Sequence, residues 1–151
     1  MLREAFAERL KEAMKARQAS TISAVRLIMA GLKERDVAAR TQGRPEGLSE
    51  TEIHRMLQAM VKQRREAVAL YEQGNRADLA QKERVEIAVI ESFLPRQLDA
   101  AEIESAAKAA ISETGARSGK DLGRVMAVLR ERHAGVIDLG QAGAIVRRLL
   151  A

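Results

Sequence analysis

The sequence contains no cysteine, so disulfide bonds and thiolate metal sites are excluded. Aromatic residues make up only 2% of the chain, with two phenylalanines, one tyrosine and no tryptophan. We therefore do not expect a platform of aromatic side chains that stacks on single-stranded nucleic-acid bases. No apolar run approaches the ~20 residues that a membrane-spanning helix needs. The core residues left are Leu, Ile, Val, Met and Ala, a composition that favours packed helices.

The charge balance is mildly basic, with a formal net charge of +5 in 151 residues. The cations alternate with acids at helical spacing along the chain, which is typical of a solvated helix face. Such a balance is compatible with nucleic-acid binding but does not by itself predict it. The first stretch, "MLREAFAERLKEAMK", carries charge throughout and lacks the apolar segment of a signal peptide. We therefore expect a soluble, cytoplasmic protein.

Helical periodicity runs through the chain, and no stretch alternates as a strand would. Residues 1–95 are predicted to form four helices, including a helical hairpin, and residues 96–151 three more. The first helix has an apolar stripe at four-residue spacing: Leu2, Phe6, Leu10 and Met14. Pro95 ends the fourth helix, because proline disfavours helical geometry in the residue before it. The expected fold is all-α, with an N-terminal helical domain (1–95) and a small three-helix domain (96–151).

The stretch "KQRREAVALYEQGNRADLAQKE" (62–83) predicts a tight helical hairpin. Gly74 suits the left-handed position that ends one helix, and Asn75 can cap the next. Arg64 falls within the apolar face of the first helix, and Glu83 within that of the second. Antiparallel packing places the two at the same height. We therefore expect a buried or half-buried Arg64–Glu83 ion pair that fixes the register of the hairpin.

No catalytic or metal-binding motif is recognisable. The chain has no GxxxxGK[ST] phosphate loop, no GxGxxG sequence and no GxSxG elbow. Its histidines, His54 and His133, are far apart, and we expect a helix-capping role for His133 rather than zinc binding. The alternative for the hairpin, a general-acid role for Glu83 or Glu86, lacks a second catalytic group. We expect no enzymatic activity, no cofactor and no metal.

The best candidate anion site lies in "ARSGKDLGRVMAVLRER" (116–132). Its glycine-containing turn precedes a helix N-terminus, where main-chain amides and the helix dipole favour phosphate. Lys120 and Arg124 lie four residues apart on the side opposite the apolar stripe, and Arg117 precedes them. Gly123 allows a backbone or ligand to approach closely. These four residues are the candidate RNA-binding residues, and the alternative is an ordinary solvated helix face.

Three segments together resemble a known family: "STISAVRLIMAGLKERD", "KQRREAVALYEQGNRADLAQKERVEIAVIESFLPRQLDAAEI" and "GKDLGRVMAVLRERHAGVID". In this order they resemble the YqeY-like proteins, which share a domain with the C-terminal part of GatB, a component of the aspartyl/glutamyl-tRNA amidotransferase. The resemblance covers essentially the whole chain. It implies an all-helical protein with a larger N-terminal part and a three-helix C-terminal part. In the amidotransferase, the matching tail helps to hold tRNA while other domains carry out the chemistry.

The resemblance therefore implies a non-catalytic module that binds tRNA or associates with it. A label of glutamine-dependent carbon–nitrogen ligase could follow the family, but it would describe the chemistry of relatives with other domains. Lys120, Gly123 and Arg124 match the basic and glycine pattern at the start of the tail's central helix. The arginine of the family's Gly-Arg-Ala-Asp-like turn is missing from "GVID" (135–138). The alternative function is a protein-interaction adaptor that docks on a synthetase or amidotransferase through an apolar patch near Phe93–Leu98.

Overall fold

The computed structural model describes residues Met1–Ala151, which form seven α-helices and no strand, so the all-α prediction is confirmed. The helices are α1 (Leu2–Lys15), α2 (Ala19–Thr41), α3 (Glu50–Gln73), α4 (Ala77–Glu91), α5 (Ala100–Thr114), α6 (Leu122–Arg132) and α7 (Leu139–Leu150). None of them combines the length and the apolar character that crossing a bilayer requires. The chain divides beside Pro95 into unit 1 (Met1–Leu94) and unit 2 (Pro95–Ala151).

The apolar face of α1 follows the predicted stripe at its start and departs from it at its end. Phe6 is buried, but Met14 is 51% exposed and Ala13 is fully buried in its place. A four-residue spacing drifts around a helix of about 3.6 residues per turn, so the stripe leaves the core by the last turn. The prediction for Met14 is therefore wrong.

The core of unit 1 is mainly aliphatic and is built by all four of its helices. Its most deeply buried members include Val25, Ile28, Ile53, Leu57 and Ile90. The two phenylalanines of the chain meet edge to face, with the ring centroids of Phe6 and Phe93 4.8 Å apart. Tyr71 is half-buried in the last turn of α3. All three aromatic side chains of the protein therefore lie in unit 1.

Asp36 is the single buried charged residue of the chain. Its carboxylate accepts hydrogen bonds from both terminal nitrogens of Arg3, one of them at 3.0 Å, and from the main-chain N–H of Leu48 at 2.9 Å. A Cβ atom on Gly47 would collide with Asp36 Oδ1, and the positive φ of Gly47 (74°) also favours glycine there. This Asp36 clasp (Arg3, Asp36 and Leu48) ties α1, α2 and the loop before α3 together.

The turn of the α3–α4 hairpin differs from the predicted one. Asn75 adopts the left-handed conformation (φ 56°), whereas Gly74 has a φ of −86°. The N–H of Arg76 donates to the carbonyl of Tyr71 (2.8 Å) and that of Asn75 to the carbonyl of Glu72 (3.2 Å), which is the Schellman pattern. Arg76 rather than Asn75 then stands at the N-cap of α4. The turn is therefore longer than expected.

The longer turn changes the partner of Arg64. Its Nε donates to Glu86 Oε2 at 3.0 Å, and its Nη1 to the carbonyl of Met60 at 3.2 Å. The Arg64 and Glu86 side chains are 15% and 13% exposed, so the pair is largely buried. The predicted Arg64–Glu83 pair is therefore wrong. Arg64 and Glu86 are equally distant in sequence from Asn75, the centre of the observed turn, and so they face each other.

Unit 2 is a bundle of three helices with its own core. Buried side chains from α5, α6 and α7 meet there: Ile103, Ala107, Val125, Leu129, Ala142 and Val146. Leu98 packs against this core, whereas Phe93 and Leu94 pack against the core of unit 1. Phe93, Leu94 and Leu98 are thus half-buried, each against the core of its own unit, and are not exposed as the predicted docking patch requires.

The Glu86→Gln substitution should lower the free energy of unfolding by about 1–3 kcal/mol, because the largely buried guanidinium of Arg64 loses its charged acceptor. Denaturant unfolding of the wild type and the variant measures this change. Glu83→Gln, one helical turn earlier on α4, is the matched control and should change the stability by less than about 0.5 kcal/mol. A larger loss in the control than in Glu86→Gln would contradict the observed register.

The stabilisation from the Asp36 clasp should depend on pH. Hydrogen bonds from Arg3, and then from the Leu48 amide, hold the pKa of Asp36 below its ordinary value of 3.8, in spite of burial. A lowered folded pKa gives stability that is present above the unfolded pKa and is lost as the pH falls through the folded one. Asp36→Asn should therefore be less stable than the wild type by about 1–3 kcal/mol at neutral pH.

That difference should shrink as the pH falls below about 4, because the wild type then loses the charge that the variant already lacks. Denaturant titrations of both proteins at a series of pH values measure it. Glu34→Gln, at an exposed position on the same helix, is the control and should differ little from the wild type at any pH. A difference between Asp36→Asn and the wild type that stays constant into acid would refute the charged clasp.

Candidate nucleic-acid interface

The candidate RNA-binding residues lie in the connection between α5 and α6 and in the first turn of α6. Gly115 ends α5 with a left-handed backbone (φ 68°), and the N–H of Ala116 donates to the carbonyl of Ile111 at 3.2 Å. The chain then passes Ser118 and enters a 3₁₀ turn, Gly119–Asp121, which leads directly into α6. The glycine-containing turn before a helix thus takes the form of a short 3₁₀ entry.

Asp121 organises this loop. Its Oδ2 accepts the main-chain N–H of Arg117 at 2.9 Å and that of Ser118 at 3.3 Å. Its Oδ1 accepts from Nη2 of Arg124 at 2.7 Å. The amide of Arg117, and then the guanidinium of Arg124, keep the pKa of Asp121 below its ordinary value. Amides that the turn would offer to an anion are therefore already bonded to a carboxylate of the protein itself.

Arg124 is held across the loop and is only partly available to a ligand. Besides its bond to Asp121, its Nη1 donates to the carbonyl of Thr114 at 3.2 Å, so the guanidinium connects the end of α5 to the start of α6. The side chain is nevertheless 61% exposed. Since exposed ion pairs contribute little to stability, a phosphate can compete for this guanidinium.

Arg117 and Lys120 differ from Arg124 because their side chains are exposed and have no carboxylate partner. Gly123 is also exposed, and a Cβ atom there would meet nothing within 4 Å. Nothing inside the protein therefore requires glycine at this position. The loop thus presents two unpaired cations, Arg117 and Lys120, beside an unobstructed stretch of α6. Arg124 is a third cation, held by Asp121 and Thr114.

Sequence reasoning found the cations of this loop and missed Asp121. The signal was present in "SGKD", where Ser118 and Asp121 have the spacing of a capping box. The Ser118 side chain does face the amide of Asp121, while the Asp121 side chain reaches back to the amide of Ser118. A search for the N-terminal boundary of α6 would have identified the acid together with the cations.

The turn after α6 has a packing role in unit 2. Gly135 takes a left-handed conformation (φ 78°), and its carbonyl accepts from Nε2 of Gln97 at 2.8 Å. The N–H of Leu98 donates to the carbonyl of Val136 at 2.8 Å, and Ile137 is buried in the core. Val136 is half-buried. The turn therefore anchors the start of unit 2 rather than presenting a cation.

The histidines are not part of the candidate interface. His133 stands at the C-cap of α6, where its N–H donates to the carbonyl of Leu129 at 3.0 Å. His54 lies half-buried on α3 in unit 1. No group of three or more His, Cys, Asp or Glu side chains is arranged to hold a metal ion.

Comparison with known proteins identifies the family. The model of the family described as "Yqey-like protein" matches residues 3–150, a range that runs through both units. The chain belongs to the YqeY-like family. The membership predicted from the three sequence segments is therefore confirmed, and the candidate loop lies inside the part that the family model describes.

A curated relative shares part of this YqeY-like sequence. It is the Altered inheritance of mitochondria protein 41, mitochondrial, of Lachancea thermotolerans, which is 30% identical over 99 residues. The match covers 66% of this chain and 51% of the relative, so it spans only about half of that protein's length. The relative's name places that protein in mitochondria, and the cytoplasmic location of the present chain stays a prediction.

The open position of Gly123 leads to a stability prediction. Gly123→Ala should raise the free energy of unfolding by about 0.5–1 kcal/mol, because alanine favours the helix and restricts the unfolded chain. Gly115→Ala, in the same loop, should instead lower it by about 1 kcal/mol or more, since its positive φ strains a side chain. Denaturant unfolding compares both variants with the wild type. A loss of stability in Gly123→Ala would contradict the unobstructed surface.

Proposed function

We propose that this YqeY-like protein is a tRNA-binding helical module without catalytic activity of its own, and that unit 2 contacts the RNA through Arg117, Lys120 and Arg124. The observation that supports it most is the pair of exposed, unpartnered cations on the turn that enters α6. Arg117, Lys120 and the partly engaged Arg124 lie beside an unobstructed helix surface at Gly123. Several cations in a row suit a phosphate backbone better than a single isolated anion.

The family resemblance supports the same function. The YqeY-like proteins resemble the tail of GatB in the amidotransferase, which helps to hold tRNA. Lys120, Gly123 and Arg124 occupy the positions that match that tail's basic and glycine pattern. We extend to this chain only the role of holding tRNA, and not the glutamine-dependent ligase chemistry.

The chemistry of unit 2 suggests how the RNA would be recognised. Residues 95–151 contain no Phe, Tyr or Trp, so unit 2 lacks the aromatic platform on which single-stranded bases stack. Recognition would then depend on phosphates and on the shape of a folded RNA. Binding of this kind releases counterions and weakens steeply as salt is added.

A second function, a protein-interaction adaptor, is favoured by a different surface. A shallow groove along α2 in unit 1 is lined by Ala19, Ile22, Ser23, Arg26, Leu27 and Ala30. Leu27 is 45% exposed there, and Val37 farther along the same helix is 52% exposed. An exposed apolar face on a long helix suits docking of a protein, such as a synthetase or amidotransferase component.

Reversing the charge of both Lys120 and Arg124 to Glu should abolish the binding of total tRNA. Electrophoretic mobility shift or filter binding over a range of salt concentrations measures the affinity. The wild type should lose roughly tenfold or more in affinity when the salt is raised severalfold, if a few phosphates are neutralised. Unchanged affinity in the variant would remove this loop from the proposal.

The matched control reverses two exposed cations on α3 of unit 1, Arg55 and Lys62. It changes the net charge by the same amount and should retain most of the affinity. Equal losses in the two variants would indicate binding by net charge alone.

Crosslinking in cells separates the two functions: recovered tRNA favours RNA binding. A protein partner that survives nuclease and is lost in Leu27→Asp favours the adaptor.

A further inference from the structure

We propose that Asp121 is an internal competitor for phosphate, whose carboxylate occupies the donors of the α5–α6 loop and is displaced when a polyanionic RNA backbone binds. This inference rests on the proposed function and concerns the regulation of the same site.

The contacts of Asp121 are those of a bound anion. Both carboxylate oxygens are engaged, Oδ2 by the amides of Arg117 and Ser118 and Oδ1 by the guanidinium of Arg124. Main-chain amides together with an arginine fork form the donor set that binds phosphate oxygens in many proteins. The donors of the loop therefore form an arrangement that can bind an anion, and the carboxylate of Asp121 occupies it.

Displacement of this carboxylate does not require the unit to unfold. The Asp121 side chain is 25% exposed, and its ion pair with Arg124 lies at the protein surface. None of the core side chains of unit 2 takes part in the contact. Such an exposed pair is weak enough for a phosphate, brought close by neighbouring cations, to replace it.

The arrangement selects ligands that carry several phosphates. The Arg117 and Lys120 side chains are unpartnered and can hold a phosphate backbone first. The two amides and Nη2 of Arg124 become available only when Asp121 moves away. Attachment at the free cations raises the local concentration of the next phosphate along the chain, which then competes with Asp121. A single inorganic phosphate lacks this first attachment and should leave the carboxylate in place.

The first test compares the affinities of the wild type and Asp121→Asn for total tRNA. Asparagine keeps an oxygen acceptor for the two amides but loses the charge that holds Arg124. Asp121→Asn should therefore bind tRNA roughly two- to fivefold more tightly, the effect of releasing one exposed ion pair. The control is Glu113→Gln, which also removes one acid of unit 2 and releases Arg132 from an exposed ion pair. It should leave the affinity within about twofold of the wild type.

The second test follows the main-chain amide signals of Arg117 and Ser118 by NMR in the wild-type protein. A short RNA hairpin should shift both signals as their acceptor changes from carboxylate to phosphate, and an equal concentration of inorganic phosphate should not. Dispersed amide spectra of Asp121→Asn and Glu113→Gln confirm that both variants are folded. RNA binding that leaves both signals in place would overturn the inference.

The outcomes separate the inference from the proposed function. If the wild type binds tRNA and loses binding in the Lys120→Glu, Arg124→Glu variant, while Asp121→Asn binds no more tightly, the function stands and the competitor role fails. If neither the wild type nor Asp121→Asn binds tRNA, both fail. If Glu113→Gln gains as much affinity as Asp121→Asn, the effect is one of net charge and the competitor role also fails.

Discussion

The ion pair between Arg64 and Glu86 fixes the register on which the arrangement of unit 1 depends. The facing surfaces of α3 and α4 are aliphatic, and side chains of similar size can repack after a shift at moderate cost. A guanidinium cannot lose its charge, so a largely buried Arg64 requires an acceptor at one height. Asp36 imposes a comparable requirement on α1, α2 and the following loop, because its carboxylate needs Arg3 and the Leu48 amide.

The helices and the inward position of Arg64 could be predicted because they follow from periodicity, which is local. The choice between Glu83 and Glu86 could not. The two lie three residues apart, about 300° around the helix, so both are near the same face and only the length of the turn decides between them. That length depends on whether Gly74 or Asn75 takes the left-handed conformation, and both residue types tolerate it.

The candidate interface, too, could be predicted only in part from the sequence. The cations could be predicted from their sign and spacing, and the family membership predicted from the three sequence segments is confirmed. A pattern of cations in a sequence does not show which of them are paired with a neighbouring acid. Asp121 lies between Lys120 and Arg124 along the chain and determines which donors are already taken. The RNA-binding role of the loop stays a prediction, now with an acid whose contribution can be measured separately.

The distribution of aromatic residues has a practical consequence for spectroscopy. Phe6, Tyr71 and Phe93 all belong to unit 1, and the chain has no tryptophan. Intrinsic fluorescence comes mainly from Tyr71, beside the hairpin turn, and near-ultraviolet dichroism from Tyr71, Phe6 and Phe93, so both signals report on aromatic side chains of unit 1. Among the optical signals, the peptide absorption of the helices is the one that reports loss of structure in unit 2 directly. The two units are thus optically distinct without any label.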